Sequence, residues 1–309
     1  MYKVVKIGEN NITARIVADS ISEDGNRITT FELEYPRFIH SELMTHRLFS
    51  RNAMSSRAVP IDKMIEQVQK SPATPIHWGI NKSGMQASAE HEDVEMCENT
   101  WKAAAQMASM SAEILKSKGL HKQIVNRVLE PFQTMKTVLT ATEFENFFWL
   151  RLDEDAQPEI HELSLCMKSA YDESDPELLK AGEWHTPYVK HKRYPEELIY
   201  KVNGVSVNVK DAIAISSSCC AQVSYRNIDN SFEKAMKVYE RLGVGGSKIH
   251  ASPFENVATP MSYTNITDIP QDSKWEEGVT HCDRDGCFWS GNFKGFVQHR
   301  QELENHTKW

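Results

Sequence analysis

Residues 45–60 read "THRLFSRNAMSSRAVP", a stretch that gathers His46, Arg47, Arg51, Ser55, Ser56 and Arg57 with little apolar content to hold it in a core. Just upstream, Ile39 and Leu43 are four apart, as are Met44 and Leu48. That spacing predicts a helix from Phe38 to about Asn52 that runs out into a loop at the quoted residues. Before it, "RITTFELEY" (27–35) alternates Phe31, Leu33 and Tyr35 with polar residues, the period of a half-buried strand, and Pro36 closes it. A loop carrying Ser55, Ser56 and Arg57 can offer hydroxyls, backbone N–H groups and a forked guanidinium to one phosphate, a site on the scale of a nucleotide. The plain alternative is a solvated helix end.

The rest of the chain bounds what such a site can serve. With 309 residues, 40% hydrophobic and 25% charged, it can bury one large core or two modest ones. A formal charge of -8 argues against a general nucleic-acid binder, so local basic clusters read as sites for small anions. No apolar run approaches a membrane span, and the N-terminus lacks a signal-peptide pattern, so a cytoplasmic address is expected. Six irregularly spaced cysteines are read as reduced thiols.

Residues 71–88, with two prolines and two glycines, predict a long loop, and 90–130 predict helix with a stop at Gly119. "MKTVLTATEFENFFWLRL" starts strand-like and ends helical, and "DAQPEIHELSLCMKSAY" reads as an amphipathic helix. Residues 172–206 look irregular, and helices are expected at about 208–223 and 230–242. The expectation is one mixed α/β (α+β) domain over 1–309, without a linker, and with 264–309 as a C-terminal extension.

Several further segments can carry chemistry. In "IHASPFENVATPM" (249–261), Ser252-Pro253-Phe254-Glu255 fits a capping box, which predicts a helix start able to bind an anion, with His250 beside it. Most such boxes only cap. Arg151 follows Phe147, Phe148 and Trp149; it either lies over a ring or, partly desolvated, polarises a pyrimidine carbonyl, and Arg127 is ambiguous in the same way. His281, Cys282 and Cys287 have the wrong spacing for zinc, so no metal site is expected, and the vicinal Cys219-Cys220 pair reads as packing. No dinucleotide fingerprint, P-loop or nucleophile elbow occurs.

Together these segments resemble the flavin-dependent thymidylate synthases. Their signature is an Arg-His-Arg triplet, then Ser after seven residues and Arg two further on; here it is Thr45-His46-Arg47, Ser55 and Arg57, with Ser50 and Asn52 at family positions. "ASPFEN" looks like the family's Ser-Pro-Phe-Glu-His segment, and "FFWLRLDEDAQPEI" like the helix whose arginine lies against the pyrimidine. About half the chain is covered, 58–118 and 172–215 being unmatched. Thr45, Ala53, Glu42 and Asn256 replace the family's Arg, Glu, Gln and His. Segment order differs too: the Ser-Pro-Phe-Glu piece follows the signature instead of preceding it, so a circular permutation is expected. In "SGNFKGFVQHRQEL" (290–303), Gln298 and Arg300 either compensate for Glu42 and Thr45 or belong to a solvated C-terminal helix.

The resemblance implies a mixed sheet with long helices, FAD as cofactor, and NADPH and methylenetetrahydrofolate as co-substrates. It implies His46, Arg47, Ser50, Asn52, Asn146, His250, Ser252 and Glu255 on the flavin. Glu42, Ser55, Ser56, Arg57, Arg127 and Arg151 are then on a deoxypyrimidine monophosphate, with Arg151 and Ser55 catalytic. The implied reaction is C5 methylation of dUMP in dTMP biosynthesis by a homotetramer with sites between subunits. A related C5 modification, dCMP as substrate, or a non-catalytic flavin- or nucleotide-binding relative are the alternatives.

Overall fold

The alternating "RITTFELEY" run becomes the central strand of the main sheet. In the computed structural model, which describes residues 2–87, 89–195, 197–224, 228–271 and 273–308, the first half of the chain supplies β1 (Val4–Ile7), β2 (Thr13–Ser22), β3 (Arg27–Pro36), α1 (His40–Leu43), β4 (Ser50–Ala53), α2 (Ile61–Lys70), α3 (Val94–Ser117), α4 (Lys122–Val128), β5 (Thr134–Ala141), α5 (Glu145–Arg151), α6 (Pro158–Glu173) and β6 (Glu177–Leu179). The strands order as β1-β2-β3-β5-β4, antiparallel throughout, and β6 joins β2 in parallel. The period of two decides which residues face which side. Ile16, Phe31, Leu33, Tyr35 and Leu139 point to one face, where Phe147 and Phe148 of α5 and Ile160, Leu163 and Met167 of α6 cover them. Each such side chain withdrawn from water contributes about 1.5–3 kcal/mol.

The helices α2, α3 and α4 share a smaller core of Met64, Ile65, Val68, Ala105, Ala112 and Val125. Asp93 caps α3 by accepting from the Met96 N–H (3.0 Å). Gly119 takes φ +78 just past its end, the left-handed conformation that the sequence signal requires.

The second half adds β7 (Lys190–Tyr194), β8 (Glu197–Val202), β9 (Val205–Val207), α7 (Val209–Ala221), α8 (Phe232–Arg241), β10 (Ala258–Pro260), β11 (His281–Cys282), β12 (Phe288–Ser290), β13 (Phe293–Lys294), β14 (Phe296–Gln298) and α9 (His299–Glu302). This material covers the other face of the main sheet, with Val17, Ile28 and Val138 against Leu198, Tyr200, Ile215, Cys219 and Phe296. The fold is therefore mixed α/β, as the element pattern implies, with helices α5 and α6 on one face of the sheet and α7 and a hairpin on the other. No helix among the described residues is long and apolar enough to cross a membrane.

Four local expectations are corrected. The stretch 38–52 is not one helix: only His40–Leu43 is α-helical, and Ser50–Ala53 is an edge strand whose ladder to β5 supplies the backbone partners a helix would otherwise need. Residues 190–207 are a three-stranded antiparallel sheet, because Leu198, Tyr200 and Val202 alternate beneath a charged exterior. Ser252–Asn256 is a short 3-10 turn with no side-chain cap, so it offers no helical anion site. In residues 290–303 short strands come first and only His299–Glu302 is helical; Gln298 precedes that helix and is 1% exposed, so it does not belong to a solvated helix.

The second face of the sheet also carries a line of buried hydrogen bonds. Ser20 Oγ meets His185 Nδ1 (2.9 Å), His185 Nε2 meets Thr30 Oγ1 (2.8 Å), and Thr30 meets Thr140 (2.7 Å). Thr140 then donates to Asn256 Oδ1 (2.8 Å). This line leads from the centre of the sheet to the turn beside β4.

Candidate functional site

The edge strand β4 is held from both sides, and that fixes the quoted stretch. On one side it pairs with β5, Ser50 opposite Thr140 and Asn52 opposite Val138. On the other, Asn52 Nδ2 donates to the Ser252 carbonyl (3.2 Å), so the two segments, 200 residues apart, are in contact. Gln298 Nε2 donates to Ser50 Oγ (3.1 Å), to Asn292 Oδ1 (3.1 Å) and to the Glu255 carbonyl (3.3 Å). Asn292 in turn donates to the Leu48 carbonyl (2.9 Å). Gln298 and Arg300 spend their groups here, Arg300 pairing with Glu255, and not on Glu42 or Thr45. Asn292 carries no catalytic pattern in the sequence and is visible only through these contacts.

The residues before β4 turn toward α5. Arg51 Nη1 donates to the Leu43 and His46 carbonyls (3.0 and 3.2 Å), closing the last turn of α1. His46 is 8% exposed and lies edge-on to Phe147, with ring centroids 4.9 Å apart. Arg151 Nε donates to His46 Nε2 (3.0 Å), its Nη2 donates to Thr45 Oγ1 (3.4 Å), and its Nη1 lies 3.7 Å from Glu42. Burial, helped by the charges of Arg151 and Arg51, lowers the His46 pKa to about 4. The imidazole is neutral at pH 7, and its Nε2 is free to accept. Burial likewise raises the Glu42 pKa; Arg151 opposes the rise and Glu159 adds to it.

Beside this cluster opens a cavity of about 700 Å3. Glu42, Arg151, Glu154, Asp155 and Glu159 form one side, while Pro75, His77, Met85 and Gln86 of the 71–88 segment form the other with Trp101 of α3. That segment is tied down by the Ile76 N–H donating to Glu159 Oε1 (2.8 Å) and by Trp78 packing edge-on to Trp101 at 6.2 Å.

A second group lies at the far end of β4. Ser56 Oγ donates to Glu130 Oε1 (3.1 Å), and Arg37 and Arg127 lie 2.9 and 3.6 Å from the same carboxylate. The Ser55 backbone N–H donates to Ser224 Oγ (3.0 Å), and the Ser55 Oγ accepts from the Arg57 N–H (3.3 Å). Arg47 and Arg57 are exposed, and their guanidinium groups have no partner among the described residues. Asn146 on α5 and His250 are exposed as well, and Ser252 contributes its carbonyl rather than its hydroxyl to the contact with β4. Asn256 is fully buried, its amide committed to Thr140 and to the Ser252 and Pro253 carbonyls. Glu130 was missed by sequence reasoning; its one sequence signal is its place three residues after Arg127.

The cysteines offer no nucleophile here. Burial pushes the Cys219 thiol up to about 12 and raises the Cys220 thiol as well. Among the described residues no group of three His, Cys, Asp or Glu side chains is arranged to hold a metal ion. His281 stacks on Trp289.

Residues 27–177 match the model of a protein family described as thymidylate synthase complementing protein. That span carries β3, the signature stretch, α5 and Arg151, and stops short of Ser252. Among solved structures, the chain is similar to a UMP/dUMP methylase, PolB, from Streptomyces cacaoi. Bound with 5-Br dUMP, that protein is 18% identical, with a TM-score of 0.42 over 52% of this chain and 89% of its own. Bound with 5-Br UMP, it is again 18% identical, with a TM-score of 0.43 over 54% of this chain and 91% of its own. No curated protein matches the chain.

Proposed function

We infer, for a chain whose residues 27–177 belong to the thymidylate synthase complementing family, that it methylates C5 of a deoxypyrimidine monophosphate, converting dUMP to dTMP. The observation that carries this reading is the Arg151–His46–Glu42 cluster, which joins the signature stretch to α5 at the mouth of a nucleotide-sized cavity. The one-carbon donor is methylenetetrahydrofolate. Arg151 stabilises negative charge developing on the pyrimidine ring, and one such donor is worth about 10²–10³ in rate. Neutral His46 holds the guanidinium in place through Nε2. Ser55, Ser56 and Arg57, with Arg127, grip the phosphate. The Ser55 hydroxyl, which accepts from the Arg57 N–H, keeps its own proton to donate to that anion.

The residues present fit a flavin dinucleotide. Arg47 offers a cation with no partner among the described residues, Asn146 an exposed amide, and Asn52 and Ser252 meet at the adjoining seam, with Ser50, His250 and Glu255 assigned to the flavin beside them. When bound, reduced FAD supplies the hydride, with NADPH as its electron source. In this reading the molecule is a cytoplasmic homotetramer with sites completed across subunits. Each chain is one domain, with 71–88 over the cavity and 264–309 bracing the signature strand. The Asn52–Ser252 contact supports a circular permutation of the family order, because the Ser-Pro-Phe-Glu piece reaches the signature strand from the C-terminal side.

A second reading has one observation in its favour. Glu42, Glu154, Asp155 and Glu159 line the cavity with acceptors, which suit the amino group of cytosine and therefore dCMP. Tritium release from C5-labelled dUMP and dCMP, run in parallel with FAD, NADPH and methylenetetrahydrofolate, tests both. Release from dUMP is the expected result. Release from dCMP alone moves the substrate to cytosine, and release from neither, in protein that binds FAD, overturns the enzymatic reading.

A further inference from the structure

At the opposite edge of the main sheet from β4, a second cavity of about 520 Å3 lies between β2, β6 and the β7–β8 hairpin. Three strand steps separate β2 from β4, roughly 14 Å at about 4.8 Å per step. The two cavities share no lining residue.

The charges in this cavity are unbalanced in one direction. Its acidic groups are already committed: Asp19 takes Arg27 through two hydrogen bonds (2.9 and 2.7 Å), and Glu177 takes His191 Nδ1 (3.2 Å). The His191 ring is fixed at its other nitrogen by Thr186 Oγ1 (2.6 Å). Its lysines are not so committed. Lys3 donates to the backbone carbonyls of Asp19 and Asp175 (3.0 and 3.5 Å), and toward a side-chain carboxylate it has only the charge it shares with His191 and Arg193 in lowering the Glu177 pKa, among the described residues. Lys190 and Lys201 sit directly opposite each other in the β7–β8 register, and neither meets a carboxylate among the described residues. Among the described residues the Lys201 ammonium meets the Tyr194 ring at 5.6 Å.

Like charges facing each other across a ladder destabilise a hairpin, and this pair is kept at the mouth of a concave site. An anion between them turns that repulsion into attraction, and the low-dielectric walls concentrate the effect. Ammonium groups act as strong point charges toward phosphate oxygens. Tyr2, also lining the cavity, has its ring capped by Arg15 at 5.7 Å, and Asn203 adds a side-chain amide.

We propose that Lys3, Lys190 and Lys201 form a binding site for a small phosphorylated molecule, separate from the cavity at Arg151. The inference is independent of the reaction proposed above.

Calorimetric titration of the full chain with sodium pyrophosphate, and with triglutamate in parallel, tests it. Pyrophosphate binding should weaken at least tenfold in Lys190→Glu and stay unchanged in Arg151→Ala. Lys190→Glu sets a carboxylate opposite Lys201, a favourable cross-strand pair, so the hairpin should keep its melting temperature and the loss can be assigned to the site. Absence of pyrophosphate binding in the unaltered chain overturns the proposal, as does binding that survives Lys190→Glu, whatever Arg151→Ala does. Tighter binding of triglutamate than of pyrophosphate overturns the phosphoryl assignment in favour of a polycarboxylate.

Discussion

His46 loses most of its water to Phe49 and Phe147 and gains two guanidinium neighbours, so its folded-state pKa lies near 4 against an ordinary 6.5. In that window the unfolded chain binds more protons than the folded one, so stability falls as the pH drops from about 6.5 to about 4. The contribution at stake is ~1–2 kcal/mol once solvent screening is allowed for. Melting temperatures measured at pH 7 and pH 5 should therefore differ less in His46→Gln than in the unaltered chain. An equal difference in both would show that His46 titrates as it does in water. The signature spacing made His46, Ser55 and Arg57 legible in the sequence. The pairing of His46 with Arg151 was not, because the two residues are 105 apart and nothing local couples them.

β4 shows what the periodicity of a short stretch conceals. Ile39 and Leu43 are both buried, which satisfies a helical spacing, yet the chain leaves the helix after Leu43 and re-enters the sheet seven residues later. Four residues are too few for an alternation to declare itself, and the strand is specified by partners far away in the sequence. Gln298 is the chief of these. Gln298→Ala would leave Ser50 Oγ and the Glu255 carbonyl short of a donor in a buried place, at a cost of about 1–3 kcal/mol. Denaturant melts should show that loss as a lower midpoint with an unchanged slope; a midpoint equal to the original would mean that the clamp is not holding the strand. Residues 190–207 failed to read as strands for a different reason. Their outward residues are Lys190, Lys192, Tyr194 and Glu197, and this charge obscured the buried alternation of Leu198, Tyr200 and Val202. The longer elements, α3, α6 and α7, were legible because repeated periods and caps agree over three or more turns.

Across the whole molecule, α3 turns one stripe to its own small core and leaves Met107, Met110 and Ile114 outward at 69%, 62% and 59% exposure. Their spacing of three and four puts them on a single line. Trp149, two residues before Arg151, is 76% exposed on another helix. In the tetramer proposed above, such a line is covered by a neighbouring subunit, and Met110→Glu should reduce the mass measured by light scattering below that of the unaltered chain. A single-subunit mass for the unaltered chain would remove the tetramer from the reading. The mixed α/β class follows from the pattern of elements, whereas the strand order did not show in the sequence, and the distance along the chain between the strand and its clamp has a further effect. β4 is translated about 240 residues ahead of Asn292 and Gln298, which clamp it. At ribosomal rates of about 5–20 residues per second, the strand waits roughly 10–50 s for its clamp. During that interval the signature strand stays unbraced, so a ligand that needs the braced strand is captured only once Gln298 has left the exit tunnel.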